Sequence, residues 1–108
     1  MARYLFVVNS NPAEGREREY NEWYSNRHVA DLLAVPGVVS ARRFVLEEAQ
    51  PADVPRPFKY LALYEVETDD AHDFIGQLIS RSGTEAMPIS TALSSVTSAT
   101  LWKEMKSG

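Results

Sequence analysis

Two short runs, Leu5-Phe6-Val7-Val8 and Tyr60-Leu61-Ala62-Leu63-Tyr64, are apolar at both odd and even positions. Successive side chains of a strand point to opposite faces, and an antiparallel sheet with one wet face alternates apolar with polar residues. Strands built from these runs therefore need cover on both faces. A chain of 108 residues folds around one core and is expected to form a single domain over 1–108. It has helices enough for one face of a sheet, so a second copy of the chain is the economical cover for the other. A homodimer is expected.

The helical and strand signals alternate along the chain. Residues 3–9 read as a strand ended by the turn formers Asn9-Ser10-Asn11-Pro12. Asn11 before Pro12 reads as an N-cap with proline at the first helical position, and Glu14 and Glu17 suit the positive end of a helix dipole. The spacing predicts a helix from Pro12 to Val35, stopped by Pro36-Gly37. Its middle, Ser25-Asn26-Arg27-His28, is poor in strong helix formers and predicts a bend or break. Val38 to Glu47 and Phe58 to Val66 read as strands, joined by a loop that contains Pro51, Pro55 and Pro57. Thr68-Asp69-Asp70 caps a helix from Asp70 to Arg81, Gly83 to Ser95 reads as loop, and Val96 to Met105 as the last strand. The order β-α-β-β-α-β is that of an α+β, ferredoxin-like sandwich with a four-stranded antiparallel sheet and both helices on one face.

Composition removes several classes of function. A net charge of −4 gives no basic footprint for nucleic acid. No cysteine is present, so disulfides, thiolate nucleophiles and zinc knuckles are out of reach. The first residues lack a signal-peptide pattern and no segment approaches a membrane span, so the expected location is the cytoplasm, with no membrane partner. Of the two histidines, His72 lies among Asp69, Asp70 and Asp73 at spacings that point the side chains apart, and reads as a solvated helix start. No metal site and no cofactor is expected.

His28 differs. Tyr24 precedes it by four residues and Asp31 follows by three, so a helix places the three on neighbouring turns, while Tyr20, Tyr24, Arg27 and Asp31 form a second stripe. Two readings compete. In the structural one, Trp23 and Tyr24 pack on the sheet, His28 steadies a helix break, and Arg27 pairs with Asp31. In the functional one, His28 is a proton shuttle at the wall of a cleft, oriented by Tyr24 or Asp31, with Trp23 and Arg27 contacting substrate. Arg42 or Arg43 would then stabilise an oxyanion or hold an acidic group.

The stretch Asn11-Pro-Ala-Glu-Gly, then Tyr20-Asn-Glu-Trp-Tyr-Ser-Asn-Arg-His28, then Asp31-Leu-Leu-Ala-Val-Pro36-Gly37 running on to Phe44, resembles the EthD-like branch of the dimeric α+β barrel superfamily. The resemblance implies a dimer joined through its sheets and a cleft between sheet and helices, with His28 in the place of a recurrent helix histidine and Trp23 and Tyr24 as its aromatic pair. It also implies a range of activities on aromatic or polyketide-like molecules, and fold alone does not choose among them. Three functions follow as expectations. One is a small cofactor-independent enzyme, of isomerase, dehydratase or monooxygenase type, acting on an aromatic or cyclic carbonyl compound. Another is a binding or accessory protein of a catabolic pathway that takes a small hydrophobic or aromatic ligand. The third is a haem-binding or haem-degrading protein with His28 as axial ligand.

Overall fold

The computed structural model describes residues 1–105. Strands β1 (Ala2–Ser10), β2 (Val38–Val45), β3 (Tyr60–Thr68) and β4 (Ser98–Lys103) form one antiparallel sheet in the order β2-β3-β1-β4. The two central strands are those with apolar residues at both parities. Between β1 and β2 the chain is helical as α1 (Glu17–Trp23), a π-helical turn (Tyr24–His28) and α2 (Val29–Leu33), and α3 (Ala71–Arg81) connects β3 to β4. This is the ferredoxin-like α+β arrangement that the element order predicts.

Register assigns every strand residue to a face. Phe6 pairs with Tyr64 and Leu101, Val8 with Ala62 and Ala99, and Ala62 with Arg43. Phe6, Ala62, Tyr64 and Val66 are buried against Tyr20, Tyr24, Leu32 and Phe74 of the helices. On the opposite face Val7 pairs with Leu63, Leu5 with Trp102, and Leu61 with Phe44. No helix of the described chain covers that side, and Leu5, Phe44 and Trp102 stand exposed there.

The boundaries differ from the sequence reading at one instructive place. The first helix begins at Glu17, not Pro12. Asn11 caps nothing: its amide donates to the Pro57 carbonyl at 2.7 Å and its side-chain oxygen accepts from the Lys59 N–H at 2.8 Å. Pro12 bridges to Leu93, and Gly15 turns the chain at φ +75° before the helix starts. A tertiary bond between loops thus replaces the local cap. At α3 the local signal holds, because the Asp70 side chain accepts from the Asp73 N–H at 3.0 Å. Gly37, at φ +100°, sits where a Cβ would come within 3.0 Å of the Glu67 carbonyl oxygen. Its own carbonyl accepts from the Glu67 N–H, so the Pro36-Gly37 turn is stitched directly to β3.

Candidate functional site

The weak middle of the first helix widens instead of breaking. In an α-helix each four-residue step overshoots a full turn by about 40°, so residues 20, 24, 28 and 32 would drift off one face. The π turn at Tyr24–His28 takes up that drift, as single wide turns often do at functional positions. Tyr20, Tyr24 and Leu32 are buried and His28 is partly buried, so all four face the sheet. Ser25, Asn26 and Arg27 face solvent.

His28 stacks on Trp23 with ring centroids 4.5 Å apart and an interplanar angle of 26°, and meets the Tyr24 ring edge-on at 4.9 Å and 87°. Its Nδ1 is buried without a hydrogen-bond partner. Burial among these rings pulls the His28 pKa down from 6.5 to about 4; the charge of Asp31 opposes the shift and that of Arg43 adds to it. The imidazole is neutral at pH 7. Beside it lies a cleft of about 190 Å³ between helix and sheet, walled by Phe6, Leu32, Tyr64, Leu78, Met87 and Ile89 together with the Trp23-Tyr24-His28 cluster. The Tyr64 hydroxyl is the second buried polar group here without a hydrogen bond, and burial raises its pKa far above the usual phenol range.

The other sequence-derived candidates separate. Arg27 and Asp31 form an ion pair, the Arg27 Nε lying 2.8 and 3.1 Å from the two carboxylate oxygens. No hydrogen bond joins Asp31 to His28 Nδ1, and Tyr24 meets the imidazole through its ring, edge-on. Arg27 also donates to the Glu85 carbonyl at 2.8 Å, and the Trp23 indole N–H donates to the Pro88 carbonyl at 3.2 Å. The helix thereby fastens the loop after α3 over the cleft. Sequence alone did not reveal this segment, which supplies Met87, Ile89 and Leu93 to the walls.

The two adjacent arginines have opposite fates. Arg43 faces the helices, donates to Ser25 Oγ and Asn21 Oδ1, both at 2.9 Å, and lays its guanidinium 4.4 Å from the centre of the Tyr24 ring. It braces the back of Tyr24 and does not line the cleft. Arg42 pairs across β3 with Leu63, so strand parity puts it on the far face, over the Phe44 ring at 5.6 Å. Arg42 cannot reach a molecule held at His28. A larger hollow of about 370 Å³ opens on that far face among Arg3, Arg42, Glu65, Glu67 and Trp102. Its walls are side chains standing on an open sheet, with no buried unpaired polar atom among them. Among the described residues no group of three His, Asp or Glu is placed to hold a metal, and no helix is long and apolar enough to cross a membrane.

Comparison with known proteins bears on the fold. No family model matches the sequence, and no curated protein matches it. Among solved structures, an ethyl tert-butyl ether D (EthD) family protein from Bacillus halodurans C-125 superposes with a TM-score of 0.54 at 14% identity, over 97% of this chain and 100% of that one. A "putative monooxygenase" from Shewanella loihica PV-4 superposes with a TM-score of 0.58 at 12% identity, over 99% of each chain. The chain therefore shares the ferredoxin-like fold of these two proteins.

Proposed function

We propose that this chain is a small cofactor-independent enzyme that binds an aromatic or cyclic carbonyl compound in the helix-side cleft and moves a proton on it through His28. One observation carries the reading: an imidazole with a buried, unpaired nitrogen stands at the wall of an otherwise largely apolar cleft. Buried polar groups are ordinarily hydrogen-bonded, and an exception calls for a reason, of which a catalytic role is one. An apolar cavity of about 150 Å³ holds benzene, so about 190 Å³ suits one ring with substituents or two small fused rings. Trp23 offers the stacking surface and Tyr24 fixes the imidazole plane. The description of one fold neighbour names a monooxygenase, which is within the range of chemistry expected from the sequence.

With a pKa of about 4, His28 is a weak base in the empty cleft. A negative charge developing on bound substrate raises that pKa by direct attraction, so the imidazole gains basicity as an enolate or phenolate forms. It then returns the proton readily. Arg27 and Asp31 act on the loop rather than on substrate, and Arg43 acts on Tyr24. The working form is a homodimer closed through the far sheet face, supported by the apolar set Leu5, Val7, Phe44, Leu61, Leu63 and Trp102 on that face.

A second reading, a ligand-binding protein without turnover, draws on the same low pKa, since an imidazole neutral at physiological pH makes hydrogen bonds without exchanging protons. Haem binding has less support, because a tetrapyrrole exceeds a cleft of this volume. A turnover screen of monocyclic and bicyclic carbonyl compounds decides. The expected result is a reaction that His28→Ala and His28→Gln slow by about 10²–10⁴, with unchanged circular dichroism. Binding with no turnover in the wild type would leave the accessory reading, and undiminished turnover in His28→Ala would overturn the role of the histidine.

A further inference from the structure

Two polar side chains of the cleft wall, Ser10 and Trp23, already have partners. Ser10 Oγ and the Tyr20 hydroxyl hold each other at 2.6 Å in a buried pair, and the Trp23 N–H is bound to the Pro88 carbonyl. The Tyr64 hydroxyl is different. Tyr64 is fully buried in the middle of β3 and contributes to the cleft wall, yet its oxygen has no hydrogen-bond partner. The Tyr24 hydroxyl is its hydrogen-bonding neighbour and acts on its ionisation, but stands outside the distance and angle of a formed hydrogen bond. None of the lining residues is Asp, Glu, Lys or Arg, and His28 is neutral. The nearby cations are engaged elsewhere, Arg27 with Asp31 and Arg43 with Asn21 and Ser25.

From this juxtaposition, which rests on the small-molecule reading above, we infer that Tyr64 is the hydrogen-bond donor that selects the ligand, and that the ligand is an uncharged ring ketone or similar carbonyl, not a carboxylate. A phenol held protonated by burial donates to a neutral carbonyl oxygen and fills the vacancy at its own oxygen. A carboxylate in the same place would be removed from water with no cation facing it, a loss one neutral donor does not offset. The donor sits on the sheet and His28 on the helix, so the carbonyl is held from one wall while the proton is handled from the other. In the amino-acid sequence Tyr64 is marked only by its place in an apolar run.

Three matched probes test this: indane, 1-indanone and indane-1-carboxylate, titrated into the wild type and into Tyr64→Phe. The wild type is expected to bind 1-indanone roughly tenfold more tightly than indane and to bind the carboxylate more weakly than indane. In Tyr64→Phe the preference for 1-indanone over indane should vanish while indane binds as before. The carbonyl stretch of bound 1-indanone should move to higher frequency in the variant. Melting of Tyr64→Phe should match or exceed the wild type, because an unpaired hydroxyl has been removed. An unchanged ketone preference in Tyr64→Phe, or carboxylate binding as tight as ketone binding, would overturn the inference and leave the small-molecule reading standing. Failure of indane and 1-indanone alike would overturn both.

Discussion

The two faces of the sheet are built from the same four strands and alternate residue by residue, yet they end differently. On the helix side the apolar positions are filled and sealed: Tyr20, Tyr64, Val66 and Phe74 are at most 1% exposed, and the unpaired polar atoms of His28 and Tyr64 lie among them. On the far side Leu5, Phe44 and Trp102 retain 40%, 41% and 62% exposure, beside charged Arg3, Arg42, Glu65 and Glu67. Unmet polar capacity in a dry place calls for a small ligand, whereas unmet apolar area in a wet place calls for a macromolecular surface. On the proposed function, one face serves chemistry and the other assembly.

The largest effect that separates the faces comes from neighbouring residues. Leu63→Asp puts a charge on the far face, and light scattering at micromolar concentration should report a single chain of 12.1 kDa where the wild type reports two, with helicity retained. Tyr64→Asp puts the same charge into the core, and the loss of about 3–5 kcal/mol expected for an unpaired buried charge should unfold the chain. A wild type that is itself monomeric would remove the assembly half of the comparison.

Next in size is the pH dependence of stability. His28 has a folded pKa of about 4 against 6.5 unfolded, so between those values the unfolded chain binds the extra proton. Stability contributed by the neutral histidine is complete above pH 6.5 and declines as pH falls toward 4, by up to roughly 3 kcal/mol from this group. Melting curves of the wild type should show the decline, and those of His28→Gln should be flatter over the same interval. Equal slopes would mean that His28 is better solvated than its ring contacts indicate.

The smallest effect is expected far from both functions. Deleting Ala52 and Asp53 from the exposed loop after β2 should shift stability by no more than about 0.5 kcal/mol, because the Asn11 bonds that anchor its far end involve Pro57 and Lys59. A drop of several degrees in melting temperature would show the loop docking on the partner.

Most of the fold was legible because short apolar runs and the capping aspartate of α3 act locally. The signals that misled were residues with tertiary duties. Asn11 has the chemistry of an N-cap and uses it on β3's approach, 46 and 48 residues away. Asp31 is well spaced to orient His28 and instead binds Arg27. Arg42 and Arg43 were indistinguishable in the sequence, since only the register of β2, set by the irregularity between Val38 and Ser40, decides which one faces the helices. Tyr64 was invisible as a site residue for a different reason. Its importance lies in a bond it does not make, and a sequence carries no record of unsatisfied partners.

The two tryptophans lie one on each side of the sheet: Trp23 against His28 at the cleft, and Trp102 on the far face. Each can be read alone, through Trp102→Phe or Trp23→Phe, in a fluorescence titration with 1-indanone. Saturable quenching of Trp23 is expected in the Trp102→Phe variant, and no ligand-dependent change of Trp102 in the Trp23→Phe variant. Quenching that follows Trp102, or that leaves Trp23 untouched, would contradict the assignment of the helix-side cleft as the site where this protein works.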